Sequence, residues 1–197
     1  MNQLPVMQRL RYRGLRWRAM GCLALGFTDA AARVFDQMLD EFPGDPYALA
    51  SLAHLLSQAG RRGEAIVLLN KLTASEPGNA HHWFNLGFLL EQDREFERAE
   101  AALRRATELS PQLDRAWYGL GLVLIQMRRF DEAVTALKRN TQLQPMSPYG
   151  WYQLARVHVD RQEPDEARKI IRHLHGFEPK VARQLERETG LTVSHSG

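Results

Sequence analysis

Five prolines, Pro43, Pro77, Pro111, Pro145 and Pro179, stand thirty-four residues apart without one slip. Proline removes a backbone donor and collides with the preceding helical turn, so each is expected to end a helix. Breaks at a constant interval mean that one supersecondary unit is copied along the chain. A unit of this length buries its apolar face only by stacking on its neighbours. With each proline at position 32, the units run 12–45, 46–79, 80–113, 114–147 and 148–181. Residues 1–11 precede them as a basic extension of the first helix. Residues 182–197 follow as a capping helix and a frayed tail, with fraying expected beyond Gly190, all within a single domain.

Other columns align on the same phase without gaps. Position 20 is Ala31, Ala65, Ala99, Ala133 and Ala167, alanine in every unit. Position 8 is always small, with Ala19, Ala53, Gly87, Gly121 and Ala155, and position 24 is always large, with Phe35, Leu69, Leu103, Leu137 and Ile171. Position 4 carries Leu15, Leu49, Trp83, Trp117 and Trp151. Apolar residues recur at 4-7-8-11 and at 20-24-27, the spacing of two amphipathic helices joined by a tight turn. Small residues at 8 and 20 let the pair approach closely, while the side chains at 4 and 24 fill the space beside the contact. Gly26 and Gly60, at position 15, suit the break between the two helices.

This pattern resembles the tetratricopeptide repeat. In the third unit Trp83, Leu86, Gly87, Leu90, Ala99, Leu103, Ala106 and Pro111 match its motif; in the fourth Trp117, Leu120, Gly121, Leu124, Ala133 and Pro145 do so. Five units of thirty-four span 170 of the 197 residues. The resemblance implies an all-α fold, a right-handed α-solenoid of five helix-turn-helix units with a C-terminal capping helix. Arg18 departs from it at position 7, where a buried leucine is expected, so the first helix should be partly exposed or shifted. Asn140 departs at position 27, where a small residue is expected. The segment from Val181 to Thr189 is amphipathic and suits the last unit's open face.

Composition excludes several classes. No run approaches the roughly 20 apolar residues of a membrane-spanning helix. The stretch from Ala19 to Phe27 follows five arginines without an acid, as in a secretory signal, but Leu15, Ala19 and Cys22 already serve the repeat phase. Cys22 is the sole cysteine, read as a small apolar packing residue, and a reducing cytoplasmic location is expected. The formal charge is +3, of which the first eighteen residues carry +5 and the remainder −2. That arginine arm is read as a solvated helix face, with nucleic acid or an anionic surface as the alternative. No phosphate loop, nucleophile elbow or His-Glu-x-x-His is present, so no enzyme activity, cofactor or small-molecule substrate is expected. The pairs His81-His82 and His173-x-His175 do not converge on one metal ion.

The family resemblance further implies a concave groove, lined by the first helix of each unit, that holds an extended peptide or a partner helix. Its lining positions 2, 5, 6, 9, 12 and 13 give a candidate groove of Tyr47, His54, His81, Phe84, Asn85, Phe88, Arg115, Tyr118, Leu122, Tyr149, Tyr152, Gln153 and Arg156. Aromatic residues in surface columns mark a binding strip, expected to run through Phe84, Phe88, Tyr118, Leu122 and Tyr152. Asn85 can bond the backbone of an extended ligand with both its donor and its acceptor. Some family members clamp a chaperone's terminal carboxylate with Lys and Asn at set groove positions. The matching sets here, such as Ala50, His54, Asn85, Arg115 and Gly119, do not reproduce that clamp. The expected function is a scaffold, adaptor or dedicated chaperone for a protein partner. A self-associating assembly factor is the alternative from the structural class.

Overall fold

The computed structural model describes residues 5–193; what was expected of residues 1–4 and 194–197 lies outside the described residues. Among those there are eleven helices and no strand: α1 (Val6–Ala24), α2 (Thr28–Glu41), α3 (Pro46–Gln58), α4 (Arg62–Ser75), α5 (Ala80–Gln92), α6 (Phe96–Leu109), α7 (Asp114–Gln126), α8 (Phe130–Leu143), α9 (Pro148–Asp160), α10 (Pro164–His175) and α11 (Pro179–Thr189). The fold is an all-α repeat. No helix among the described residues is long and apolar enough to cross a membrane. The chain divides into two compact units between Leu89 and Leu90.

In the first unit α1 packs on α2, α2 on α3 and α3 on α4. Ala31 and Ala65, at position 20, and Ala19, at position 8, are wholly buried, and Ala53, also at position 8, is nearly so. Phe35 fills the space beside them and meets Tyr47 edge-on at 5.7 Å between ring centroids. Asp45 caps α3 by accepting the Ala48 N–H at 2.8 Å, with Pro46 in the first turn, where its missing donor costs nothing. Helix α1 keeps the phase of the repeat despite Arg18. Tyr12, Leu15 and Ala19 are buried while Arg18 stays in solvent, so the helix is exposed on one side and not shifted. Cys22 is free and only half-buried.

In the second unit α6 through α10 pack each on the next, and α11 rests on both α9 and α10. Helix α7 meets α8 so closely at Gly121 that a Cβ there would lie 2.7 Å from Leu137. Asn140 is buried and donates from Nδ2 to the Asp114 carbonyl at 3.0 Å. It fits because Gly150 faces it: a Cβ on Gly150 would lie 2.1 Å from Asn140 Oδ1. The bulk missing at one position is thus supplied at the other.

Two columns that the sequence aligned separately are joined in space. Trp83, Trp117 and Trp151 donate from Nε1 to the carbonyls of Pro77, Pro111 and Pro145 at 2.9, 3.0 and 2.9 Å. Position 4 of one repeat thereby holds the inter-repeat turn before it. The turn within each repeat is also a single device. Position 15 is left-handed in all five copies: Gly26 (φ 77°), Gly60 (φ 76°), Arg94 (φ 61°), Arg128 (φ 58°) and Gln162 (φ 62°). The next residue's N–H reaches five residues back at 2.8–2.9 Å, as in Phe27 to Cys22, Arg61 to Leu56 and Glu163 to His158. That bond satisfies a carbonyl orphaned at the helix end.

The fifth proline acts differently from the other four. Pro43, Pro77, Pro111 and Pro145 sit in turns, whereas Pro179 is the first residue of α11. Helix α10 has already ended at His175, with Gly176 as its cap, so a new helix starts three residues earlier in the repeat than α3, α5, α7 and α9 do. Past Gly190, where fraying was expected, the chain still holds to α11: Val193 is buried and its N–H donates to Glu186 Oε1 at 3.1 Å.

Substitutions at two of these places should move stability in opposite directions. Gly121→Ala forces Leu137 aside and should cost about 1–3 kcal/mol. Gln162→Gly relieves a left-handed residue and should be neutral or add up to about 1 kcal/mol. Urea unfolding followed by circular dichroism measures both.

Candidate functional site

The second unit carries a cleft of about 480 Å³ walled by α7, α9 and α11. Tyr118 comes from α7, Pro148, Tyr149, Tyr152 and Gln153 from α9, and Glu178, Val181 and Gln184 from α11 and the residue before it. Helix α9 places Tyr149, Tyr152 and Gln153 on one side because they follow at intervals of three and one, while Leu154, Ala155 and Val157 face the core.

The three tyrosines differ. Tyr149 is 70% exposed. Tyr118 is half-buried, and burial pushes its phenol above the ordinary tyrosine range, a hydrogen bond with Gln153 opposing that shift. Tyr152 donates to Glu188 Oε2 at 2.5 Å, and this bond to a carboxylate is the main reason its phenol is also raised. The same bond, with one from Gln184 Nε2 at 2.8 Å, holds Glu188 below the usual carboxylate range. Arg156 lies over the Tyr152 ring at 5.8 Å. The cleft therefore offers aromatic faces, amide groups from Gln153 and Gln184, and acidic and basic groups at its margin. Such a mixture seats a polypeptide segment by burying apolar side chains and bonding its backbone.

Of the other candidates in this unit, Leu122 is half-buried and Arg115 is exposed. In the first unit Phe84 and Phe88 stack at 6.2 Å with 27° between their planes, and Phe88 is 48% exposed beside exposed Asn85. Tyr47 instead packs on Phe35 and lies beneath the Arg16 guanidinium at 4.5 Å, so its ring is engaged within the fold. His54 and His81 are exposed, and the His81 N–H donates to Asn79 Oδ1 at 3.1 Å. Burial lowers the pKa of the neighbouring His82, which stands 3.4 Å from Glu76. Among the described residues no three His, Cys, Asp or Glu side chains gather as metal ligands would. The strip read from the sequence has Phe84 and Phe88 in the first unit and Tyr118, Leu122 and Tyr152 in the second.

Sequence reasoning missed the third wall of the cleft. Glu178, Val181, Gln184 and Glu188 follow at intervals of three, three and four, which is one helix face. That spacing was available, but the thirty-four-residue phase assigns 178–181 to the end of the fifth unit. Only the early start of α11 at Pro179 turns this face onto α9.

A family model for the tetratricopeptide repeat matches residues 23–86 and 90–152. Among solved structures, the crystal structure of the MamA protein superposes with a TM-score of 0.81 at 21% identity, over 93% of this chain and 97% of that one. YrrB, a TPR protein with an unusual peptide-binding site, gives a TM-score of 0.77 at 18% identity, over 86% and 88%. A thermophilic TPR protein of Thermus thermophilus gives 0.61 at 24% identity, over 92% and 100%. At these identities the likeness shows the fold alone. No curated protein sequence matches the chain.

The Tyr152–Glu188 contact has a spectroscopic consequence. In Glu188→Gln the charge that raises the Tyr152 phenol is gone, so one tyrosine should ionise at lower pH than in the parent, while Tyr118, raised mainly by burial, should not move. Absorbance titration at the tyrosinate band, with Tyr152→Phe to assign the transition, checks this.

Proposed function

We propose that this chain, which belongs to the tetratricopeptide repeat family, is a protein-interaction scaffold that holds a segment of a partner polypeptide in the cleft between α7, α9 and α11. The repeat fold itself supports a protein-binding role, since its architecture presents surface rather than a reaction centre. The observation that carries the finer reading is Tyr149, a large ring left 70% in solvent at the mouth of a tyrosine-lined cleft. Burying an aromatic side chain of this size is worth roughly 1.5–3 kcal/mol, which a docked segment would recover. YrrB, similar in fold, has a peptide-binding site, which lends general support and says nothing about position.

The occupant suited to this cleft has an apolar or aromatic side chain to lie against Tyr118, Tyr149 and Tyr152. Its backbone runs past the amides of Gln153 and Gln184. Glu178 and Glu188 at the margin, with Arg156 over the Tyr152 ring, suit a segment that carries charges of both signs beside its apolar side chain. In the first unit the stacked pair Phe84 and Phe88, with Asn85 beside it, forms a second patch of similar chemistry. Adaptor and dedicated chaperone both describe a protein that works in this way.

A photo-crosslinking residue placed at Tyr149 in the producing cell tests the assignment. A discrete adduct is expected at 149 and none at Arg105, an exposed residue of α6 outside the cleft. Tyr118→Ala should weaken capture at 149 by about tenfold or more while the helical melt changes little. Equal adducts at both positions would falsify the cleft as the site.

A further inference from the structure

We propose that the outward face of α1 docks on an anionic lipid bilayer. The inward face, Tyr12, Leu15 and Ala19, is buried. On the opposite side Val6, Met7, Leu10 and Trp17 are between 58% and 77% exposed. Leu10, Gly14, Trp17, Gly21 and Ala24 succeed one another at intervals of four and three, so they share one side of the helix. A Cβ added at Gly14 or Gly21 would meet nothing within 4 Å, so at these two positions no described residue covers the stripe.

Charge completes the pattern. Helix α1 contains no acidic residue and five arginines. By the helical period Arg9, Arg13 and Arg16 run along one margin of the stripe, and Arg11 and Arg18 along the other. Arg11 pairs with Glu41, and Arg16 lies over Tyr47. Arg9, Arg13 and Arg18 have no acidic partner among the described residues. An uncovered apolar stripe with cationic side chains on both margins needs an occupant that is apolar in the middle and anionic at the sides.

A second copy of α1 supplies the apolar part but sets arginine against arginine. Nucleic acid supplies the phosphates but leaves Val6, Leu10 and Met7 with no apolar partner. A bilayer surface supplies both in the right order. The stripe enters the acyl boundary with the helix lying flat, Trp17 sits at headgroup depth, and the arginines reach lipid phosphates on either side. The nineteen residues of α1 give a footprint about 28 Å long, along the surface and not through it. This face shares no residue with the tyrosine cleft, so the two assignments stand or fall independently.

Flotation of the full chain with vesicles of phosphatidylcholine, with and without phosphatidylglycerol, tests the proposal at low salt. The chain should float only with the vesicles containing phosphatidylglycerol. Trp17→Ser or Leu10→Ser should weaken partitioning on the order of tenfold. The triple change Arg9→Gln, Arg13→Gln and Arg18→Gln should weaken it about a hundredfold. Tyr149→Ala should not matter. All of these positions are exposed, and an unchanged thermal melt identifies variants that remain folded. Failure to float with phosphatidylglycerol overturns the proposal. So does flotation that folded Trp17→Ser and Leu10→Ser leave intact, because simple charge attraction then suffices. Tighter binding to an acidic amphipathic peptide or to duplex RNA than to the vesicles also overturns it, in favour of that occupant.

Discussion

The structure depends on how closely the two helices of each repeat approach at positions 8 and 20. Alanine at position 20 is wholly buried in all five copies, and the partner position never exceeds alanine in size. At Gly121 there is no room for even one more carbon beside Leu137. Interiors packed to this density respond sharply to a single methylene. The large side chain at position 24 then has one place to go, and Phe35, Leu103, Leu137 and Ile171 are fully buried there. The remaining devices orient these pairs. A left-handed residue at position 15 closes each pair, and an indole donating to a proline carbonyl ties position 4 to the turn before it in three repeats.

Much of this was legible because a repeat prints its constraints five times. Alanine at 20 or proline at 32 in one unit means little; the same residue in every unit isolates a physical requirement from local accident. Arg94, Arg128 and Gln162 break that legibility. They adopt the conformation that Gly26 and Gly60 announced, yet nothing in their side chains signals it. The indole bond also joins two columns that were each visible but not their relation. Asn140 and Gly150 look like separate exceptions in the sequence and are one compensating pair in space.

The candidate site was less legible, for a related reason. Columns free of packing duty are the ones a partner can shape, and they carry no internal repetition to decode. The sequence pointed to Tyr118, Tyr149, Tyr152 and Gln153, which do gather at one cleft. It also pointed to Tyr47, which Phe35 and Arg16 engage within the fold. The wall from α11 was hidden because Pro179, which continues the proline ladder, begins a helix where the other four occupy turns. A residue in register by sequence can thus change role where the array ends, since the chain there must cover an apolar face that no further repeat will bury. Capping and site-building coincide in α11: Leu185 and Ala182 close the core while Val181, Gln184 and Glu188 border the cleft.

Everything proposed for this chain's function turns on whether the tyrosine-lined cleft accepts a polypeptide segment. The direct measurement is to select peptides from a random displayed library against the full chain, then map the tightest by amide chemical-shift perturbation. Selected peptides should carry an apolar or aromatic residue, shift the resonances around Tyr118, Tyr149 and Gln153, and lose about tenfold or more in affinity on Tyr149→Ala. Peptides that map elsewhere, or bind Tyr149→Ala as well as the parent, would contradict it.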